Sequence, residues 1–218
     1  MIVFKNMTKY FYLRGNKKII ADRLNVVFPD NTSVGLLGRN GSGKSTLLKL
    51  MAGTSSPSSG KVLRKGTISY PIGFSGSFHP DLTGAQNTRF VARIYGSDTD
   101  ALIDYVQDFA ELGRQFYAPY RSYSSGMRSR LAFGVSMGLN FNTYLIDEIS
   151  AVGDAAFKQK SREIFNARMK VAGFVFVSHS DKLVSQMCTA GAVIENGKLS
   201  YFSDVNEAIE LHKYNMHM

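Results

Sequence analysis

Apolar residues fall along this chain in two rhythms. Short, largely apolar runs occur at "IVF" (2–4), "LNVVF" (24–28), "SVGLL" (33–37), "TYLID" (143–147) and "GFVFVSH" (173–179), and each reads as a strand. Helical spacing governs the rest. A helix is predicted from Lys44 through "STLLKLMAG", with Gly53 as its stop. "GAQNTRFVARIYG" and "DTDALIDYVQDFAELG" carry apolar residues at helical intervals, among them Leu102, Val106 and Phe109, and a further helix aligns Met127, Leu131 and Val135. The stretch from about 76 to 139 therefore reads as a helical insert. Beyond it, "AFKQKSREIFNARMK" is predicted as a helix between two strands. "AVIENGKLSYF" is predicted as a hairpin turning at Asn196-Gly197, and "DVNEAIELHKYN" as a last amphipathic helix. "TSSPSSG" reads as a loop and "KVLRKGTISY" as two short strands. Strands alternating with helices predict an α/β domain with a largely parallel sheet.

Composition narrows the setting. No run of about 18 apolar residues is present, so no membrane span is expected. The N-terminus "MIVFKNMTKY" carries lysines within its apolar part and no small-residue cleavage pattern, unlike a secretory signal. The single cysteine, Cys188, cannot close an internal disulfide, and a reducing cytosol is expected. The net charge of +9 suits nucleic acid, anionic lipid or an acidic polymer, or else is a solvated surface. Its densest groups, "RGNKK" (14–18) and "MRSR" (127–130), resemble no nucleic-acid motif.

The chemistry begins at "GRNGSGKST", Gly38 to Thr46, between a predicted strand and a predicted helix. This is G-x-x-x-x-G-K-[ST] in its required context. Gly38, Gly41 and Gly43 let the backbone around Asn40 and Ser42 turn its N–H groups onto a phosphate, and the helix N-terminus adds its positive end. Lys44 can reach the β/γ-phosphates, and the Ser45 hydroxyl can ligate Mg²⁺. "TYLIDE" ends an apolar strand with Asp147 and Glu148, Asp147 lying 103 residues beyond Lys44. Open α/β sheets bind ligands at the carboxyl ends of their strands. Asp147 is thus a candidate metal residue and Glu148 a candidate base for the attacking water. Alone, the pair would read as a turn closing a strand; beside a phosphate loop it reads as chemistry. His179 ends another apolar strand and can bond a γ-phosphate, whereas His79, His212 and His217 have no such placement.

"GRNGSGKST", "YSSGM", "YLIDEISAVGD" and "VSH", in this order, resemble the nucleotide-binding subunit of an ABC transporter over essentially the whole chain. The resemblance implies an α/β P-loop NTPase cassette, one domain over 1–218. It would have an antiparallel β subdomain and a helical subdomain at about 76–139. ATP and Mg²⁺ are the implied cofactors. The signature loop (L-S-G-G-Q in the family) would be Tyr123 to Met127, with Ser124 as its serine and Ser125 in place of its first glycine. In the family this loop, here Ser124, Ser125 and Gly126, serves the nucleotide of a facing copy. Ser124 also suits an ordinary helix N-cap. Phe11 best fits the aromatic that stacks on adenine, with Tyr10 and Tyr12 close by and a core role as the competing reading. Asp154 falls at the aspartate of the D-loop, which in the family lies between the two facing copies.

One departure stands out: no glutamine lies between Gly53 and Ala85, where the family's Q-loop is expected, and "YPIGFSGSFHPDLTGAQN" stands there instead. That segment, with "YSSGMRSRLAFG" and "DEISAVGDAAFKQK", is similar to the ATPases of polysaccharide exporters, capsular type. O-antigen relatives often carry an extra C-terminal carbohydrate-binding domain. This sequence ends at Met218, soon after the ATPase core, which favours the capsule branch. The implied partners are a second copy, integral membrane permease subunits and envelope-spanning export proteins. The implied place is the cytoplasmic face of the bacterial inner membrane. A soluble ABC-type ATPase acting on nucleic acid or ribosomes is the alternative. Such proteins usually carry two cassettes or a long coiled-coil insertion, and neither is present here.

Overall fold

The computed structural model describes residues 1–13, 15–71, 78–147 and 155–217. It divides the chain into two units, one of residues 1–71, 141–148 and 172–218, the other of 72–140 and 149–171.

The first unit holds both sheets. β1 (Ile2–Leu13) lies antiparallel between β2 (Asn16–Phe28) and β4 (Ser59–Arg64). A five-stranded sheet runs in the order β5 (Thr143–Asp147), β6 (Gly173–Val177), β3 (Ser33–Leu37), β7 (Ala190–Glu195), β8 (Lys198–Phe202). Its first four strands are parallel and β8 is antiparallel to β7. The strands β3, β5 and β6 are buried along nearly their whole length, as apolar runs covered on both faces must be. The predicted turn at Asn196-Gly197 is present, with φ of 47° and 76°, the left-handed pair that a two-residue hairpin requires. α1 (Lys44–Ala52) buries Leu47, Leu48, Leu50 and Met51 in the core between the sheets. Its C-terminus closes on Gly53 at φ 81°, and Arg64 donates to its last carbonyls, Leu50 O and Met51 O, at 2.7 Å for the latter.

"KVLRKGTISY" yields one strand rather than two. The chain turns at Gly66, φ 79°, and Ile68 forms only an isolated bridge to Thr143. Two elements outside the predicted set are α6 (Asp181–Met187) and the upper half of the β1–β2 hairpin. α7 (Val205–His217) packs on β7, where Gly191 leaves room: a Cβ there would stand 2.3 Å from Ala208 Cβ.

The second unit is helical: α2 (Gly84–Ile94), α3 (Thr99–Ala110), α4 (Ser125–Gly138) and α5 (Ala155–Met169). α5 docks on the others through Phe157, 5.2 Å from the Phe109 ring, and through Lys160 to Glu111 at 2.7 Å. α2 opens with a capping box in which Thr83 and Gln86 satisfy each other's backbone N–H. Gln86, the first glutamine after Gly53, is thereby committed to a cap. Asn87, fully buried, binds the loop before the helix through four bonds, to His79 N–H and to the carbonyls of His79, Leu82 and Thr83. Asn87→Leu should strand these groups and destabilise the fold by about 2–3 kcal/mol. Urea titration checks this, and an unmoved midpoint contradicts it. Among the described residues no helix is long and apolar enough to cross a membrane.

Candidate functional site

Three neighbouring parallel strands, β3, β6 and β5, end at one edge of the sheet. β3 runs into the glycine loop, β5 ends at Asp147, and His179 follows β6 by two residues. Asp147 pairs with Val177, so the two strands end at the same level, with His179 two residues beyond Val177.

The loop is built for its backbone. Gly38, Gly41 and Gly43 take φ of 152°, 77° and 110°. A side chain at Gly38 would meet Ile194 O at 2.5 Å, and one at Gly43 would meet Ile20 Cγ2 at 2.3 Å, so both positions exclude a Cβ. Gly43 caps α1 with no side-chain partner, leaving the first N–H groups of the helix without intrahelical acceptors. Lys44 Nζ donates to Gly38 O at 2.5 Å and Arg39 O at 3.0 Å. Burial lowers its pKa, and the nearby Asp147 carboxylate pulls the other way. Ser42 Oγ is buried with no hydrogen-bond partner. A desolvated ammonium, an orphan hydroxyl and free helix N–H groups in one cradle fit a phosphate chain. Ser45, in the first turn of α1, is exposed, Thr46 follows, and exposed Asn40 and Gly41 form the tip of the loop. A hydroxyl and one carboxylate at the strand end are hard oxygen donors of the kind that hold Mg²⁺ beside substrate phosphates.

Phe11 sits on β1 opposite Lys18, 42% exposed, with Lys9 Nζ 4.9 Å from its ring centroid. Lys9 pairs with Ala21, which is fully buried, so alternation puts Phe11 on the inward face of the hairpin. Tyr10 and Tyr12 take the opposite face. None of the three belongs to the core, so the competing core reading is not what the structure has.

In the second unit, Ser124 caps α4, its Oγ accepting from Met127 N–H at 3.3 Å. Ser125 begins the helix and is exposed. Gly126 has neither a positive φ nor a close neighbour: a Cβ there would meet only Ser124 Oγ at 3.9 Å. Nothing inside the described chain requires it to be glycine. The turn is anchored from behind by Tyr123, whose buried hydroxyl donates to Gln115 O at 2.7 Å and whose pKa burial pushes up to about 12. Glu148, Asp154 and residues 72–77 of the Q-loop replacement lie outside the described residues.

Residues 21–151 match the ABC transporter family. The chain belongs to that family. It is 42% identical over 216 residues to the polysialic acid transport ATP-binding protein KpsT of Escherichia coli, spanning 98% of this chain and 96% of that protein. It is 40% identical to the ATP-binding protein BexA of Haemophilus influenzae, spanning 96% and 97%. It is 39% identical to the capsule polysaccharide export ATP-binding protein CtrD of Neisseria meningitidis serogroup B, spanning 96% of this chain and 97% of that protein, and these relatives lend the nucleic-acid alternative no support. Among solved structures, the cassette MJ0796, a dimer in a post-hydrolysis state bound to ADP and Pi, superposes with TM-score 0.77 at 18% identity, covering 94% of this chain and 99% of that one. The fold is thus the ABC ATPase fold, and the family binds ATP.

The cassette carries one arrangement beside its phosphate loop that no local signal in the sequence announces. Arg39, the second loop residue, donates to Asn215 O on α7 and lies 4.0 Å from Glu195 Oε1 at the end of β7. His212, also on α7, has its Nδ1 buried with no partner. Its pKa is lowered by burial, raised by Asp181 and Glu195, and lowered again by Lys44 and Arg39. Replacing Glu195 by Gln removes one of the two charges that favour the imidazolium. The His212 titration, followed by NMR, should then move still lower; an upward movement would contradict this arrangement.

Proposed function

We propose that this chain is the ATP-hydrolysing subunit of an ABC transporter that exports a lipid-anchored capsular polysaccharide across the bacterial inner membrane. The observation that carries the reading is near-full-length similarity, at 42% identity to a polysialic acid transport ATP-binding protein and 39% to a capsule polysaccharide export ATP-binding protein. The convergence of the glycine loop, Asp147 and His179 on one sheet edge supports the chemistry.

In this reading Gly38 to Thr46 wrap the phosphates, with Lys44 leaving the loop carbonyls for the β- and γ-phosphates. Ser45 and Asp147 would hold Mg²⁺, which would supply positive charge to offset that of the phosphates. Glu148 takes a proton from the attacking water, His179 bonds the γ-phosphate, and Phe11 stacks on adenine. A second copy supplies Ser124, Ser125 and Gly126 head-to-tail, and Asp154 couples the two copies. ATP closes this pair, and hydrolysis reopens it. The motion passes to integral membrane permease subunits, with envelope-spanning export proteins beyond them. The protein works at the cytoplasmic face of the membrane, peripherally.

The test is deletion in the native host, followed by staining for polymer. Polymer should accumulate inside the cell, and a Lys44→Ala gene should fail to restore export. An undiminished surface polymer in the deletion strain overturns the reading.

A further inference from the structure

The net charge is not spread over the chain. The first 80 residues hold twelve Lys and Arg against two Asp, while the remaining 138 hold fourteen against fifteen Asp and Glu. Seven of those twelve cations lie on the strands of the antiparallel sheet. The strands β1, β2 and β4 contain a single carboxylate, Asp22, whose Oδ1 is 3.5 Å from Arg23 Nε.

Register resolves the sheet into two faces. Ile2, Phe4, Met7, Leu24 and Phe28 point into the core. The other face begins with Val3, flanked by its partners Val27 and Leu63, which are 47% and 42% exposed. Next comes Lys5, whose partner on β4 is Lys61, both exposed. Like charges directly opposite destabilise a sheet, and no acid on these strands relieves this pair. Past the bulges the same face presents Tyr10 and Tyr12, their rings edge-to-face at 5.6 Å, with Lys17 Nζ 4.1 Å from the Tyr10 centroid. Tyr12 is 68% exposed and Ile19 beside it 49%. The face is therefore a row of lysines interleaved with aliphatic and tyrosyl side chains.

A purely electrostatic partner would leave the Val27–Val3–Leu63 row in water. A purely apolar partner would leave the lysines without counter-charge. An anionic phospholipid surface satisfies both, because lysines snorkel to phosphates while tyrosine and aliphatic groups settle at the headgroup boundary. We propose that this outer face of the β2-β1-β4 sheet docks the protein directly on anionic lipid. Lys5, Lys17 and Lys61 meet the phosphates, and Tyr12, Val27 and Leu63 lie at the interface. The contact needs neither nucleotide nor a permease, so it stands or falls apart from the transport reading.

The experiment uses the full chain without permease. Vesicles of phosphatidylethanolamine and phosphatidylglycerol should sediment it, and vesicles of phosphatidylcholine should not. Raising the salt should release it. The chain has no tryptophan, so Tyr12→Trp provides a sole reporter, whose emission should shift to the blue on the anionic vesicles. The double variant Lys5→Gln/Lys61→Gln should bind about 30-fold more weakly. Its melting temperature should hold or rise, since the facing charges are gone; this separates lost docking from lost folding. Equal binding to both vesicle types, an unshifted reporter, or undiminished binding by the double variant overturns the proposal. So does tighter binding to duplex DNA than to the anionic vesicles.

Discussion

Glu148→Gln is expected to bind ATP as tightly as the parent protein and to turn it over about 10²–10⁴-fold more slowly. The expectation comes from position and chemistry together. β5 runs in register with β6 until Asp147 pairs with Val177, at the sheet edge where the phosphate loop begins, and Glu148 is the next residue in the sequence. Asp147 already influences the Lys44 ammonium. Glutamine keeps the size and hydrogen-bonding reach of glutamate but cannot take a proton from water near neutral pH. On the proposed reading, binding energy drawn from the loop backbone, Lys44 and Phe11 is untouched by the change. Equilibrium nucleotide binding and single-turnover hydrolysis, measured on one preparation, separate the outcomes. Slow hydrolysis with intact binding supports the assigned base. Parent-like hydrolysis moves the base elsewhere, and lost binding makes Glu148 a structural residue. Asp147→Asn gives the contrast: on the proposed reading it removes a carboxylate that holds the metal, and should weaken Mg²⁺-dependent binding as well as turnover.

How much of this was legible before folding depends on how local each signal is. The phosphate loop was legible because its glycines, lysine and hydroxyls fall at fixed spacing within one short stretch, although the atoms that exclude a Cβ at Gly38 and Gly43 belong to Ile194 and Ile20, far off in sequence. The buried strands were legible as apolar runs, and the β7–β8 hairpin as an Asn-Gly pair. The long β1–β2 hairpin was not, because its alternation is broken. Asn6 and Arg23 take φ of 45° and 48°, and β2 carries an extra residue at Ile20 relative to β1. A period-two search loses phase at each bulge. The same bulges explain why three consecutive aromatics, Tyr10, Phe11 and Tyr12, could not be sorted from the sequence: only the register puts Phe11 on one face and the tyrosines on the other. α6 is seven residues long, too short to show a helical period, although Ser180 accepting from Leu183 N–H marks its start. His212 and Asn215 reach the loop only because α7 packs back on β7, a relation that no stretch of sequence encodes locally.

Gly126→Asp should separate folding from turnover. At most helix positions glycine costs stability, and it survives where φ is positive or space is short. Gly126 meets neither condition. It lies in the first turn of α4, where a carboxylate favours the helix dipole by about 0.3–1 kcal/mol. The variant should therefore melt no lower than the parent. On the proposed reading, however, this turn faces the γ-phosphate of a second copy. A carboxylate there sets negative charge against negative charge and fills the space through which the backbone N–H groups approach. Losing one such donor at a developing anion typically costs about 10²–10³-fold in rate, and added repulsion makes this a lower bound. Thermal melting, ATP binding by the monomer and steady-state hydrolysis of the assembled transporter test the three statements separately. A stable variant that binds nucleotide but neither dimerises nor turns over is the expected outcome. A stable variant with parent-like hydrolysis removes this turn from the nucleotide site, and with it the requirement that two copies complete each pocket. Ser124→Ala gives a finer gradation. It removes the cap bond to Met127, at a cost of about 1 kcal/mol, so any loss of rate must be compared at matched folded fraction before it is assigned to the phosphate.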